Sequence, residues 1–115
     1  MKKDLKIYLV LFGIVLFVII GIYLLKDTPE VSGEETARCI GQNSELYVQL
    51  GCSHCETQKE LFRENVQYLN IIDCTVDKEK CIEVDIRGTP TWVINEEKVL
   101  GIQTIEQLKE LTGCQ

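Results

Sequence analysis

The pattern of apolar and polar positions divides the chain into two unlike parts. From Ile7 to Leu25 an apolar run of 19 residues carries no charged side chain. As a helix it would rise roughly 28 Å, close to the thickness of a bilayer's hydrocarbon core. The run is therefore expected to cross a membrane once. Beyond it, Asp27 to Arg38 shows no apolar period and carries Pro29, Ser32, Gly33 and the acids Asp27, Glu30, Glu34 and Glu35. This stretch reads as a solvated linker over 26–38.

From Cys39 onward the pattern changes to short alternating elements. Glu45-Leu-Tyr-Val-Gln-Leu50 is strand-like and closed by Gly51, while Ser53 to Glu64 is rich in Glu, Gln and Lys and predicts a helix. Tyr68-Leu-Asn-Ile-Ile-Asp73 predicts a second strand, and Asp77 caps a short helix from Lys78 to Val84. Thr91 to Asn95 and Lys98 to Leu100 read as a hairpin around a polar turn at Glu96-Glu97. The last helix has the clearest signals. Thr104 with Gln107 forms a capping box, Ile105, Leu108 and Leu111 make one apolar face, and Gly113 stands at the C-terminal cap.

The expected order is β-α-β-α-β-β-α over 39–115. The first two strands, joined through a helix, should be parallel, and the last two antiparallel. The fold class is α/β, a small mixed sheet with helices on its faces, preceded by one transmembrane helix.

Charge adds an orientation. Lys2, Lys3 and Lys6 precede the apolar run, and the opposite flank turns acidic after Lys26. By the positive-inside rule residues 1–6 stay in the cytoplasm and the folded part lies outside. A cleaved signal peptide would have a shorter apolar region and a small-residue cleavage site, which Tyr23-Leu-Leu-Lys26 does not offer. Gly13 and Gly21 are eight apart, so the close-packing G-x-x-x-G spacing is absent and no helix dimer is expected from it. After residue 25 the chain holds 9 basic and 17 acidic side chains, which argues against a nucleic-acid partner.

The chemistry lies in the cysteines. All 6 fall after residue 25, at a density that suggests disulfides, a metal or thiol exchange. Cys52-Ser-His-Cys55 stands where a strand ends and a helix begins. A sulfur at a helix N-terminus meets unpaired N–H groups and the positive end of the helix dipole, which favour the thiolate, the nucleophile of disulfide exchange. Cys52 is thus the attacking sulfur and Cys55, one turn inside, the resolving one. His54, the single histidine, can add positive charge or a hydrogen bond, and stabilising the reduced pair makes it a better oxidant. Two other readings use the same residues. A structural zinc knuckle would take Cys74 and Cys81 as its second pair, six residues apart where a tight knuckle has two to four. A purely structural Cys52–Cys55 bridge would close a loop too short to stabilise much.

Gly51-Cys-Ser-His-Cys55 after a strand, with Gly88-Thr-Pro-Thr-Trp92 before another, resembles the thioredoxin fold. The set of Cys74 and Cys81, Ile86-Arg-Gly-Thr-Pro-Thr-Trp-Val-Ile-Asn95 and Gly101-Ile-Gln-Thr-Ile-Glu-Gln-Leu108 is similar to the thioredoxin-like domain fused to, or partnered with, bacterial and archaeal vitamin K epoxide reductase homologues. The resemblance covers about residues 45 to 113. It implies a thiol-disulfide oxidoreductase outside the cytoplasm. Cys52–Cys55 would take electrons from reduced client proteins through a mixed disulfide at Cys52 and pass them to a quinone-linked membrane partner, a separate vitamin K epoxide reductase-like protein. It places a cis-proline at Thr89-Pro90, whose backbone would pair with a bound client strand. It also supports a Cys74–Cys81 disulfide, read as inert because neither sulfur sits in the C-x-x-C arrangement, with a second redox step as the alternative. Trp92 reads as a core aromatic. No cofactor or metal is expected.

In one respect the chain departs from thioredoxins proper, which place a buried acid six residues before the first cysteine. Leu46 stands there, and the neighbouring Glu45 should face the opposite side of the strand. This disfavours reductase work and favours an oxidant. Cys39 and Cys114 should meet at the end of the sheet away from Cys52, where a third bridge would stabilise by on the order of 4 kcal/mol in the chain-entropy model. An intermolecular bond or a relay through Cys39 competes with it. The leading expectation is a membrane-tethered oxidant of exported proteins. A reductase or isomerase, and a zinc-stabilised interaction module, are the alternatives.

Overall fold

The computed structural model describes residues 1–25 and 33–115. The chain divides into two compact units, Met1–Glu30 and Val31–Gln115. The first contains helix α1 (Lys2–Leu25), in which no side chain is buried. The helix starts five residues before the apolar run and takes in Lys2, Lys3 and Lys6. Its length and apolar composition suffice to cross a membrane.

The second unit runs α2 (Glu34–Asn43), β1 (Glu45–Val48), α3 (Ser53–Glu60), a 3-10 segment (Arg63–Tyr68), β2 (Ile71–Asp73), α4 (Lys78–Glu83), β3 (Thr91–Ile94), β4 (Glu97–Leu100) and α5 (Ile105–Thr112). The strands form one mixed sheet in the order β2-β1-β3-β4. β1 and β2 are parallel, and β1 with β3 and β3 with β4 are antiparallel. The parallel and antiparallel pairs match the expectation from connection length. The central pairing of β1 with β3, which sets Leu46 opposite Trp92, was not legible in the sequence.

Strand alternation sorts the core onto two unequal faces. Leu46, Val48, Trp92 and Ile94 face a large apolar cluster built with Ala37 and Ile40 of α2, Cys55 of α3, Phe62, Leu69, and Ile105 and Leu108 of α5. The Phe62 and Trp92 rings lie 6.2 Å apart in a tilted arrangement within it. On the other face a smaller cluster of Tyr47, Ile72 and Cys81 is covered by Cys74, Val84, Ile86 and Val93.

Several boundaries differ from the sequence reading. Glu34 to Arg38, expected in the linker, belong to α2. Ala37 and Ile40 are wholly buried, and Arg38 bonds Glu34 while its guanidinium sits 3.9 Å above the Tyr68 ring. Positions 26–32 of the expected linker lie outside the described residues. The helix expected to reach Glu64 ends at Glu60, and the 3-10 segment occupies Tyr68, so β2 begins only at Ile71. The hairpin turn is Asn95-Glu96 rather than Glu96-Glu97. Both turn residues have positive φ, 50° and 67°, which matches the twist of a two-residue hairpin and leaves Glu97 paired with Ile94. In α5 the capping box of Thr104 and Gln107 and the left-handed Gly113 are as expected, but Leu111 is 40% exposed and contributes little to the apolar face.

Gly41 marks where α2 meets the 3-10 segment. A Cβ there would lie 2.0 Å from the Tyr68 carbonyl oxygen, so only glycine permits the approach. Gly41→Ala should lower unfolding stability by about 1–3 kcal/mol, checked by denaturant titration.

On the smaller face Tyr47 Oη donates to Glu45 Oε2 at 2.5 Å, and Lys80 Nζ donates to Glu45 Oε1 at 3.1 Å. The Tyr47 bond, assisted by Lys80, holds the Glu45 carboxyl below its ordinary pKa. Burial, reinforced by Glu45, pushes the Tyr47 phenol upward. A depressed carboxyl contributes stability that is present above its unfolded pKa, about 4.3, and lost as pH falls through the folded value. A raised phenol contributes stability that is present below about pH 10 and lost as pH rises. Glu45→Gln should therefore flatten the acid limb of a stability-pH curve, and Tyr47→Phe the alkaline limb, each read from denaturation midpoints.

Candidate active site

The end of the sheet fixes the position of Cys52. The Cys74 N–H donates to the Val48 carbonyl at 2.7 Å, and the Leu50 N–H donates to Thr75 Oγ1 at 2.9 Å. These bonds clamp the chain between β1 and α3 to the segment that follows β2. Cys52 is then the N-cap of α3, and its Sγ accepts the Cys55 N–H at 3.1 Å. Cys52 and Cys55 form a disulfide. Cys52 is half-buried, whereas Cys55 is 1% exposed and packs in the large core. A thiolate from outside can reach the first sulfur and not the second. On reduction, the helix N-terminus favours negative charge at Cys52.

His54 is exposed and borders a shallow groove whose other walls are Gly88, Thr89, Pro90, Leu100, Gly101 and Ile102. The Thr89–Pro90 peptide bond is cis. Pro90 is buried and Thr89 half-buried. The turn is tied on both sides, because Thr91 Oγ1 donates to the Gly88 carbonyl at 2.6 Å and the Gly101 N–H donates to the Pro90 carbonyl at 2.8 Å. Leu100 is 68% exposed beside this groove, and Leu50 is 79% exposed two residues before Cys52. The structure thus brings Cys52, Cys55, His54, Thr89 and Pro90 to one end of the domain.

Trp92 is a core residue, as expected, but its indole N–H is also used. It donates to Oε1 of the wholly buried Gln58 at 3.0 Å. That oxygen also accepts the Gln103 N–H at 2.7 Å, and Gln58 Nε2 donates to the Gln103 carbonyl at 3.0 Å. Sequence reasoning missed Gln58 and Gln103, since glutamine in a polar helix reads as surface. The one available signal was the i, i+3 spacing from Cys55, which places Gln58 on the same inward face.

Leu46 is fully buried in the cluster that contains Cys55. Glu45 engages Tyr47 and Lys80, Tyr47 packing on the opposite face beside Cys81.

The other cysteines are paired as Cys74–Cys81 and Cys39–Cys114. Among the described residues no cysteine is free and no group of three or more His, Cys, Asp or Glu is placed to hold a metal. Cys74–Cys81 lies next to the Thr75 that clamps the Leu50 backbone. Cys39–Cys114 joins α2 to the end of α5, with Thr36 Oγ1 donating to the Gln115 carbonyl at 3.0 Å alongside.

No family model matches the chain. It is similar to the thiol-disulfide oxidoreductase LTO1 of Arabidopsis thaliana, at 37% identity over 79 residues, covering 61% of this chain and 21% of that protein. The chain therefore spans about a fifth of the length of this relative. The similarity and the Cys52–Cys55 pair together support a thiol-disulfide redox function.

Proposed function

We propose that the chain is a membrane-tethered, extracytoplasmic thiol-disulfide oxidoreductase that oxidises client proteins. The observation that carries this reading is the disulfide whose accessible sulfur sits at a helix N-cap while its partner is enclosed. A client thiolate attacks Cys52 Sγ, the Cys52–Cys55 bond breaks, and Cys55 leaves with the electron pair and takes a proton. A second client thiolate then attacks the client sulfur of the mixed disulfide and displaces Cys52 as a thiolate. The client gains a disulfide, and the domain holds two electrons and two reduced sulfurs.

The oxidant direction is supported by what surrounds the pair. The helix N-terminus stabilises the reduced state, which raises the oxidising power of the couple, and His54 can contribute in the same sense. Leu46, buried in the same core cluster as Cys55, offers no carboxylate to carry a proton from the resolving thiol. Three disulfides in the folded unit suit an oxidising compartment, and the lysines before the apolar run suit a cytoplasmic N-terminus. In this reading Thr89 and Pro90 line the groove that receives the client backbone. A vitamin K epoxide reductase-like membrane protein, the partner implied by the motif resemblance, re-oxidises the pair.

Cys52→Ser should abolish oxidation of a reduced client while leaving the circular dichroism spectrum unchanged; an undiminished rate would sink the assignment. Cys55→Ala should accumulate mixed disulfides at Cys52, identifiable by mass spectrometry, with clients and the membrane partner among them. His54→Ala should make the couple more reducing by a few tens of millivolts in a glutathione titration. A strongly reducing couple in the unsubstituted protein would instead indicate a reductase.

A further inference from the structure

The buried residues of α3 are Cys55 and Gln58, and the second is polar. Its amide meets the Gln103 backbone in both directions, accepting the N–H at 2.7 Å and donating to the carbonyl at 3.0 Å, as a neighbouring strand would. The same Oε1 receives the Trp92 indole at 3.0 Å. Gly101, two residues before Gln103, donates to the Pro90 carbonyl at 2.8 Å. The segment from Gly101 to Gln103 is thus tied at one end to the Thr89–Pro90 turn and at the other to the helix that carries the reactive pair. Gly101 and Ile102 form one wall of the groove, with His54, Thr89 and Pro90 forming others.

An apolar side chain would fill the space but leave the Trp92 indole N–H and the Gln103 N–H and carbonyl without the partners the amide gives them. What the amide adds is a fixed separation between α3 and the wall, since two opposed hydrogen bonds to one residue determine distance and direction together. Nothing in this arrangement touches Cys52 Sγ, whose own bond comes from the Cys55 N–H.

We infer that Gln58 is a positioning residue that sets the width of the groove beside Cys52, and so governs capture of an extended polypeptide client rather than the reactivity of the sulfur. This rests on the oxidoreductase reading and specifies its substrate as a polypeptide segment seated in the groove. A small thiol needs only access to Cys52 and does not use the wall.

The test compares two reductants of the Cys52–Cys55 disulfide in the full chain in detergent: glutathione, and reduced, unfolded ribonuclease A. Gln58→Met should lower kcat/KM for the protein client about tenfold, mainly through KM, and leave the glutathione rate within about twofold. Gln58→Glu places an ionised carboxylate against the Gln103 carbonyl, and protonation restores a donor. Relative to the unsubstituted protein at the same pH, its client rate should recover between about pH 8 and about pH 5 while the glutathione rate shows no such recovery. Equal losses with both reductants, or no loss with either in a folded variant, would overturn the inference. Loss of the fold in both variants would also overturn it, by assigning Gln58 to the core alone. Failure of the unsubstituted chain to exchange with glutathione would sink the oxidoreductase reading instead.

Discussion

The redox site depends on one sulfur atom held at the start of a helix, where the Cys55 N–H reaches Cys52 Sγ at 3.1 Å. Everything around it serves that placement. β1 delivers the chain to the end of the sheet, and bonds from Cys74 and Leu50 fix the last residues before the turn. The cap gives the sulfur a donor and the field of the helix, which distinguishes it from Cys55 three residues later in the core. Two chemically identical side chains thus acquire different surroundings through position alone.

The unequal faces of the sheet explain how so short a chain can support this arrangement. Three helices pack on one face over Leu46, Val48, Trp92 and Ile94, and a single short helix covers part of the other. A domain of this size buries a modest core, and covalent links offset that. Cys39–Cys114, with a sequence separation of 75, joins the first and last elements of the folded unit. Cys74–Cys81 closes a short segment beside the sheet end. The Glu45, Tyr47 and Lys80 group places its polar atoms at the edge of the smaller cluster and satisfies the one buried phenol there.

Polar groups do unequal work in the large core. Trp92 contributes a broad apolar surface and one N–H that needs a partner. Gln58 supplies the acceptor and uses the rest of its amide to hold the Gln103 backbone. A single buried side chain therefore connects α3, the central strand β3 and the groove wall. Its three hydrogen bonds are what make burial of an amide tolerable.

Features that rest on local patterns are already present in the order of residues. The length and purity of the run from Ile7 to Leu25 fixed an apolar helix, the C-x-x-C spacing placed two cysteines within bonding reach at the start of a helix, and Thr104, Gln107 and Gly113 set the ends of α5 because capping is a short-range hydrogen-bonding matter. Strand directions followed from the length of the connections between them. The remaining features arise from packing between distant segments. Helix α2 buries three residues, Ala37, Ile40 and Gly41, too few to impose a period on a polar stretch, and is held by contacts with Tyr68 and Cys114 far along the chain. Gln58 is interior because a backbone segment 45 residues away presents both a donor and an acceptor to it. Such partners exist only once the chain has folded, since hydrogen bonding between distant segments leaves no periodic trace in the residues that make it.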